Sequence, residues 1–78
     1  MRVVLYSRPG CHLCDGAREV LLAERAGSSF DLVEVDVAGD DELERRYGIR
    51  IPVVEIDGEE RFEYEVDPVE LASIVRNG

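Results

Sequence analysis

The sequence predicts an α/β fold of the order βαβαββα, a four-stranded mixed sheet flanked by three helices, and two observations carry that expectation. Short apolar or alternating runs, each too short for a helix, take turns with stretches of helical periodicity. Late in the chain, Asp57-Gly58 stands between two strand-like runs, so an antiparallel hairpin follows what begins as a parallel βαβ unit.

The elements follow in order. Val3 to Tyr6 is a continuous apolar run, suited to a central strand covered on both faces. Leu13, Ala17, Val20 and Leu21 share one helical stripe, and Arg25 followed by Gly27 marks the end of that first helix. From Phe30 to Val37, Val33, Val35 and Val37 alternate with Glu34 and Asp36, as in a half-exposed edge strand whose acidic side discourages pairing with another sheet. Asp40 or Asp41 caps a short second helix carrying Leu43 and Tyr47 one turn apart, with Gly48 to close it. In "VVEIDGEERFEY" the Asp57-Gly58 pair suits a type I′ turn, which needs positive φ at both central positions. Asp67-Pro68-Val69-Glu70 then combines an N-cap, a proline at the first helical position and an acid at N3, ahead of the stripe Leu71, Ile74 and Val75.

Composition sets the context. A chain of 78 residues without an evident linker is expected to be one domain, residues 1–78. Eighteen acidic residues against nine basic ones give a net charge of −9, which opposes nucleic acid and anionic membrane as partners. The apolar run at the N-terminus is too short for a signal-peptide core or a membrane span, so a cytoplasmic location is expected, with the thiols reduced at the outset.

The chemistry concentrates in "LYSRPGCHLCDGA", which holds both cysteines of the chain, Cys11 and Cys14. Three answers suit such a pair: a redox dithiol, part of a metal site, or a structural staple. A disulfide closing so short a loop constrains the unfolded chain very little, which argues against the staple. Placed at the turn from the first strand into the first helix, the two residues are one helical turn apart, near enough to open and close a disulfide without refolding. Cys11 then sits at the positive helix end with unsatisfied N–H groups, whereas Cys14 lies inside the helix, which marks Cys11 as the nucleophile. A free thiol of pKa ~8.5 is only about 3% thiolate at pH 7, so this environment matters. Arg8 adds a positive charge nearby and His12 another when protonated; Asp15 acts in the opposite sense. Tyr6 and Tyr47 read as packing residues.

This stretch, with "YGIRIPVVEIDG" further on, resembles the glutaredoxin-like branch of the thioredoxin superfamily, above all its short bacterial members, over nearly the whole chain. The resemblance implies a thioredoxin-like fold and a dithiol-disulfide oxidoreductase in which Cys11 attacks a disulfide, forms a mixed disulfide and is released by Cys14. It further implies a cis bond at Ile51-Pro52 that brings the Ile51 backbone beside Cys11 to pair with an extended substrate. Arg8 and His12 are the other candidate substrate-facing residues: Arg8 reads either as a solvated loop arginine or as a charge that steadies the thiolate or a substrate carboxylate, and His12 either as a solvent-facing residue or as one that tunes the redox balance. No cofactor is implied beyond glutathione as a co-substrate. The expected partners are a disulfide-containing protein or glutathionylated substrate and a thiol reductant, either a reductase or glutathione, acting on a monomer.

The chain also departs from better-known relatives. It lacks tryptophan, so the Trp-Cys-Gly-Pro-Cys site of thioredoxin is absent, and His12-Leu13 replaces the Pro-Tyr pair common in glutaredoxins. Where glutaredoxins carry a Gly-Gly-x-Asp-Asp segment for the γ-glutamyl end of glutathione, this chain reads "YEVDPVEL". Two readings from other classes stand beside the enzyme: a non-catalytic binding or redox-sensing module on the same fold, and a metal or iron–sulfur cluster bridged between subunits. A closed tetrahedral zinc site of cysteine and histidine needs four ligands, and this chain has two cysteines and one histidine, which argues against one within a single chain.

Overall fold

The structure, a computed structural model, describes residues 1–77. Its elements are β1 (Arg2–Ser7), α1 (His12–Gly27), β2 (Asp31–Asp36), α2 (Asp41–Tyr47), β3 (Val53–Ile56), β4 (Glu59–Glu63) and α3 (Pro68–Asn77). The strands lie in the order β2-β1-β3-β4; β1 is parallel to β2 and antiparallel to β3, and β3 is antiparallel to β4. The apolar β1 is an interior strand and the acidic-sided β2 an edge, as their patterns predict.

Alternation along β1 divides the interior in two. Val3 and Leu5 face the side covered by α1 and α3, where Ala17, Leu21, Val54 and Leu71 meet them in the larger core. Tyr6 faces the other side, where Val53, Val37 and Tyr47 of α2 form a smaller one. Because α2 has only seven residues, Val4 on that face stays partly exposed. Leu5, Leu21 and Leu71 have no exposed surface, and burying each contributes roughly 1.5–3 kcal/mol.

The caps and turns explain where elements begin and end. Asp40 accepts from the N–H groups of Glu42 and Leu43, both at 3.1 Å, and Asp67 accepts from Val69 at 2.8 Å and Glu70 at 3.3 Å. Asp57 and Gly58 have φ values of 51° and 85°, the conformation a type I′ hairpin turn demands. Gly27 and Gly48 end α1 and α2 as the sequence predicts, but without a left-handed conformation. Gly27 is the last residue of α1 and is followed by an extended Ser28, while Gly48 caps α2 in the right-handed region, at φ −51°. Neither uses left-handed freedom. At Gly48 the requirement is space, since a Cβ there would lie 2.5 Å from the Glu44 carbonyl oxygen and 3.1 Å from Arg8 Nη2.

Candidate active site

Strand register brings two loops together. Tyr6 on β1 stands opposite Val53 on β3, so Arg8-Pro9-Gly10, leaving β1, and Ile51-Pro52, entering β3, meet at one end of the sheet. α1 starts from the first of these loops. Cys11 is its N-cap, in an extended conformation, and its Sγ accepts from the Cys14 N–H at 3.1 Å while its carbonyl accepts from the Asp15 N–H at 3.1 Å. A sulfur at that position faces the positive end of the helix, which favours the anion. Cys14, one turn on, has no exposed surface, whereas Cys11 is partly exposed. The two are joined by a disulfide with their Cα atoms 5.2 Å apart, within the ordinary range for such a bond.

Pro52 is buried, and the bond from the partly exposed Ile51 to it is cis. The Pro52 carbonyl accepts from the Tyr64 N–H at 2.8 Å. Arg8 is engaged elsewhere: its Nη2 bonds the Glu44 carboxylate and, at 3.0 Å, the Gly48 carbonyl, bracing the loop before Cys11 against the end of α2. Arg50 is likewise engaged, with Glu60 at 2.7 Å, Glu63 at 3.2 Å and the Arg46 carbonyl at 2.6 Å.

His12 is exposed and lines a groove of about 750 Å³ between the first turns of α1 and the segment from β4 into α3. Leu13 stands on the α1 side; Tyr64, Glu65, Asp67 and Glu70 come from the other. Tyr64 is the residue that sequence reasoning passed over. Its φ of 68° is in the left-handed region, where tyrosine is uncommon, so no local signal announced it. Its hydroxyl donates to the Ile49 carbonyl at 3.4 Å, so it touches the loop before Pro52 from both its backbone and its ring.

Among the described residues no three or more His, Cys, Asp or Glu side chains converge as a metal site, and no helix is long and apolar enough to cross a membrane. The arrangement is that of a dithiol with one accessible and one enclosed sulfur at a helix start.

Residues 2–76 match the family model described as Glutaredoxin-like domain (DUF836). The chain belongs to this glutaredoxin-like family. Over 82 residues the glutaredoxin-like protein is 35% identical to an uncharacterized protein of Mycobacterium tuberculosis, covering 97% of this chain and 84% of that relative. It superposes on the X-ray structure of a structural-genomics target from X. campestris with a TM-score of 0.79 at 33% identity, covering 97% of each chain. A point-mutant thioredoxin from Halobacterium salinarum superposes with a TM-score of 0.67 at 21% identity, over 97% of this chain and 72% of that one, which shows the shared thioredoxin-like fold. Glutaredoxin-like fold and Cys-x-x-Cys pair together support a redox type of function.

Proposed function

We propose that this protein is a dithiol-disulfide oxidoreductase acting through Cys11 and Cys14. The observation that carries the reading is the asymmetry of the pair: Cys11 is partly exposed and its Sγ receives an N–H at the start of α1, and Cys14 is fully enclosed one turn on. In the reduced protein the Cys11 thiolate attacks one sulfur of a substrate disulfide. The substrate S–S bond breaks, its other sulfur leaves as a thiolate and takes up a proton, and a Cys11–substrate disulfide forms. Cys14 then gives up its proton and attacks Cys11 Sγ, releasing the second substrate thiolate and closing the Cys11–Cys14 bond. Two electrons have passed to the substrate, and a dithiol reductant restores them by the same exchange in reverse. A cytoplasmic setting, where thiol pools are reducing, fits this direction.

In this reading the Ile51 backbone beside Cys11 receives an extended stretch of substrate and His12 tunes the thiolate from the helix surface. Arg8 serves the site indirectly, by holding the loop that precedes Cys11. Glutathione is a poor reductant for it. The N–H groups at the start of α3, which would attract a free carboxylate, are taken by Asp67, and Arg8 and Arg50 are bonded to the protein's own carboxylates. The deciding experiment compares steady-state disulfide reduction driven by glutathione with that driven by a small dithiol. Efficient turnover with the dithiol and weak, unsaturated turnover with glutathione is the expected result; saturation by glutathione in the low micromolar range would identify an ordinary glutathione-dependent glutaredoxin instead.

A further inference from the structure

The groove beside the dithiol bears on which disulfides reach Cys11, an inference that rests on the redox reading above. Its two sides carry exposed apolar surface: Leu13 is 52% exposed on the α1 side and Tyr64 46% on the other, over Val20, Phe62 and Val66. Ile49, 91% exposed, adjoins Tyr64 through the bond from its hydroxyl. Scattered apolar side chains on a surface need no explanation, but Leu13 and Tyr64 face one groove whose α1 side begins at His12 and Leu13, the two residues between the cysteines, and together they form a contact surface.

Charge then selects the occupant. Glu65, Asp67 and Glu70 line the groove, and among the described residues none of them has a basic side chain as a partner. Asp67 accepts from backbone N–H groups rather than from a basic side chain. The fourth acid, Glu63, is held by Arg50, and the one arginine in the lining, Arg61, is paired with Glu59 at 3.4 Å. The groove is therefore negative in a molecule whose net charge is already −9. A partner carrying the opposite sign is drawn to such a cleft, and one carrying the same sign is repelled.

We infer that the groove docks a basic segment of a protein partner, next to the disulfide that Cys11 attacks. An apolar side chain of that segment lies between Leu13 and Tyr64, and a lysine or arginine faces Glu65 and Glu70. Acidic segments, and anionic glutathione with them, are disfavoured at the same place.

Three peptides with one internal disulfide each, alike except that the residues flanking it are all lysine, all glutamine or all glutamate, test the inference with a small dithiol as electron source. The lysine peptide is expected to exceed the glutamate peptide in kcat/KM by about tenfold at low salt, with the gap narrowing as salt screens the groove. In the Glu65→Gln, Glu70→Gln double variant the ratio between the two peptides should fall by more than half on a logarithmic scale, and Glu65→Asp should restore part of it. Equal rates for the three peptides, or a ratio unchanged in the double variant, overturn the inference. Fluorescence polarisation with labelled peptides whose cysteines are serine reads binding without redox turnover, and tighter binding of the lysine peptide to the oxidised protein is expected. Reduction of the neutral bis(2-hydroxyethyl) disulfide by the wild-type protein separates the two readings: no turnover there sinks the redox assignment, whereas turnover there with no charge preference in either peptide measurement sinks the groove.

Discussion

The backbone N–H of Cys14 donates to Cys11 Sγ across 3.1 Å, so the accessible sulfur of the pair is solvated by the helix that encloses the other. A thiolate at Cys11 keeps this donor and gains the field of the helix end; a thiolate at Cys14 would be stripped of water. Alkylation of the reduced protein at mildly acidic pH should therefore label Cys11 first. Cys11→Ser should abolish disulfide reduction, and Cys14→Ser should accumulate the mixed disulfide that mass spectrometry detects as an adduct on Cys11. Faster labelling of Cys14 would reverse the assignment.

Tyr47 stacks on Tyr6 with ring centroids 4.0 Å apart, and both hydroxyls donate to the Glu55 carboxylate, Tyr47 at 2.7 Å and Tyr6 at 3.3 Å. This joins β1, α2 and β3 just below the loop that ends at Pro52. Tyr47→Phe keeps the ring and removes the shorter bond to a partly buried carboxylate, a loss of about 1.5–2 kcal/mol, whereas Tyr47→Ala also empties the smaller core and should cost about 3–5 kcal/mol. Burial first, and Glu55 second, push the Tyr47 hydroxyl well above the usual tyrosine range. With the folded pKa raised, this contribution is complete below the unfolded tyrosine value of about 10 and is lost as pH rises beyond it. Alkaline unfolding followed by tyrosinate absorbance should show a late phase that Tyr47→Phe removes.

Most of the fold is legible because it depends on local pattern. The apolar run of β1, the alternation Val33-Val35-Val37, the Asp40 and Asp67 caps and the Asp57-Gly58 turn each act within a few residues, and each lies in the structure where that pattern puts it. The positions of Cys11 and Cys14 were readable for the same reason, since a strand end and a helix start bracket them. What escaped depends on distant pairing. Arg8 finds Glu44 and Gly48, 36 and 40 residues away, and nothing near Arg8 in sequence announces either. Gly48 looks like a left-handed cap but is small to admit that arginine. Tyr64 takes its place from the Pro52 carbonyl across the sheet, against the backbone preference of its own side chain.

Arg8 and Gly48 form the brace between the loop before Cys11 and the end of α2, and their dependence on each other can be measured. Arg8→Ala leaves the Gly48 carbonyl without its side-chain donor and should cost about 1–2 kcal/mol by urea unfolding. Gly48→Ala should cost a similar amount by pushing Arg8 aside and crowding Glu44. Because both changes break the same contact, the double variant should be less destabilised than the sum by about 0.5–1 kcal/mol. Strict additivity would mean that the brace carries no weight.

The last prediction concerns acid. Glu34 on β2 accepts from the Ser7 hydroxyl at 2.7 Å and from Arg18 of α1 through both carboxylate oxygens, and Arg18 also bonds Asp15 at 2.8 Å. Ser7 is almost fully buried and directly precedes the loop to Cys11, so this cluster ties the edge strand to the helix that carries the dithiol. The Arg18 guanidinium first, with Ser7 assisting against partial burial, holds the Glu34 carboxyl below the usual range. A depressed folded pKa means that the unfolded chain binds the proton more readily, so the contribution is present above the unfolded value of about 4.3 and fades as pH falls through the folded one. Half-exposed as the pair is, screening limits it to about 0.5–1 kcal/mol. Glu34→Gln preserves the shape and loses the charge, so it should be less stable than wild type by that amount at pH 7 and converge with wild type as pH falls below 4. Urea titrations at pH 7, 5 and 3 read this directly, and a gap that stays constant down to pH 3 would show that the Glu34 charge contributes nothing to stability.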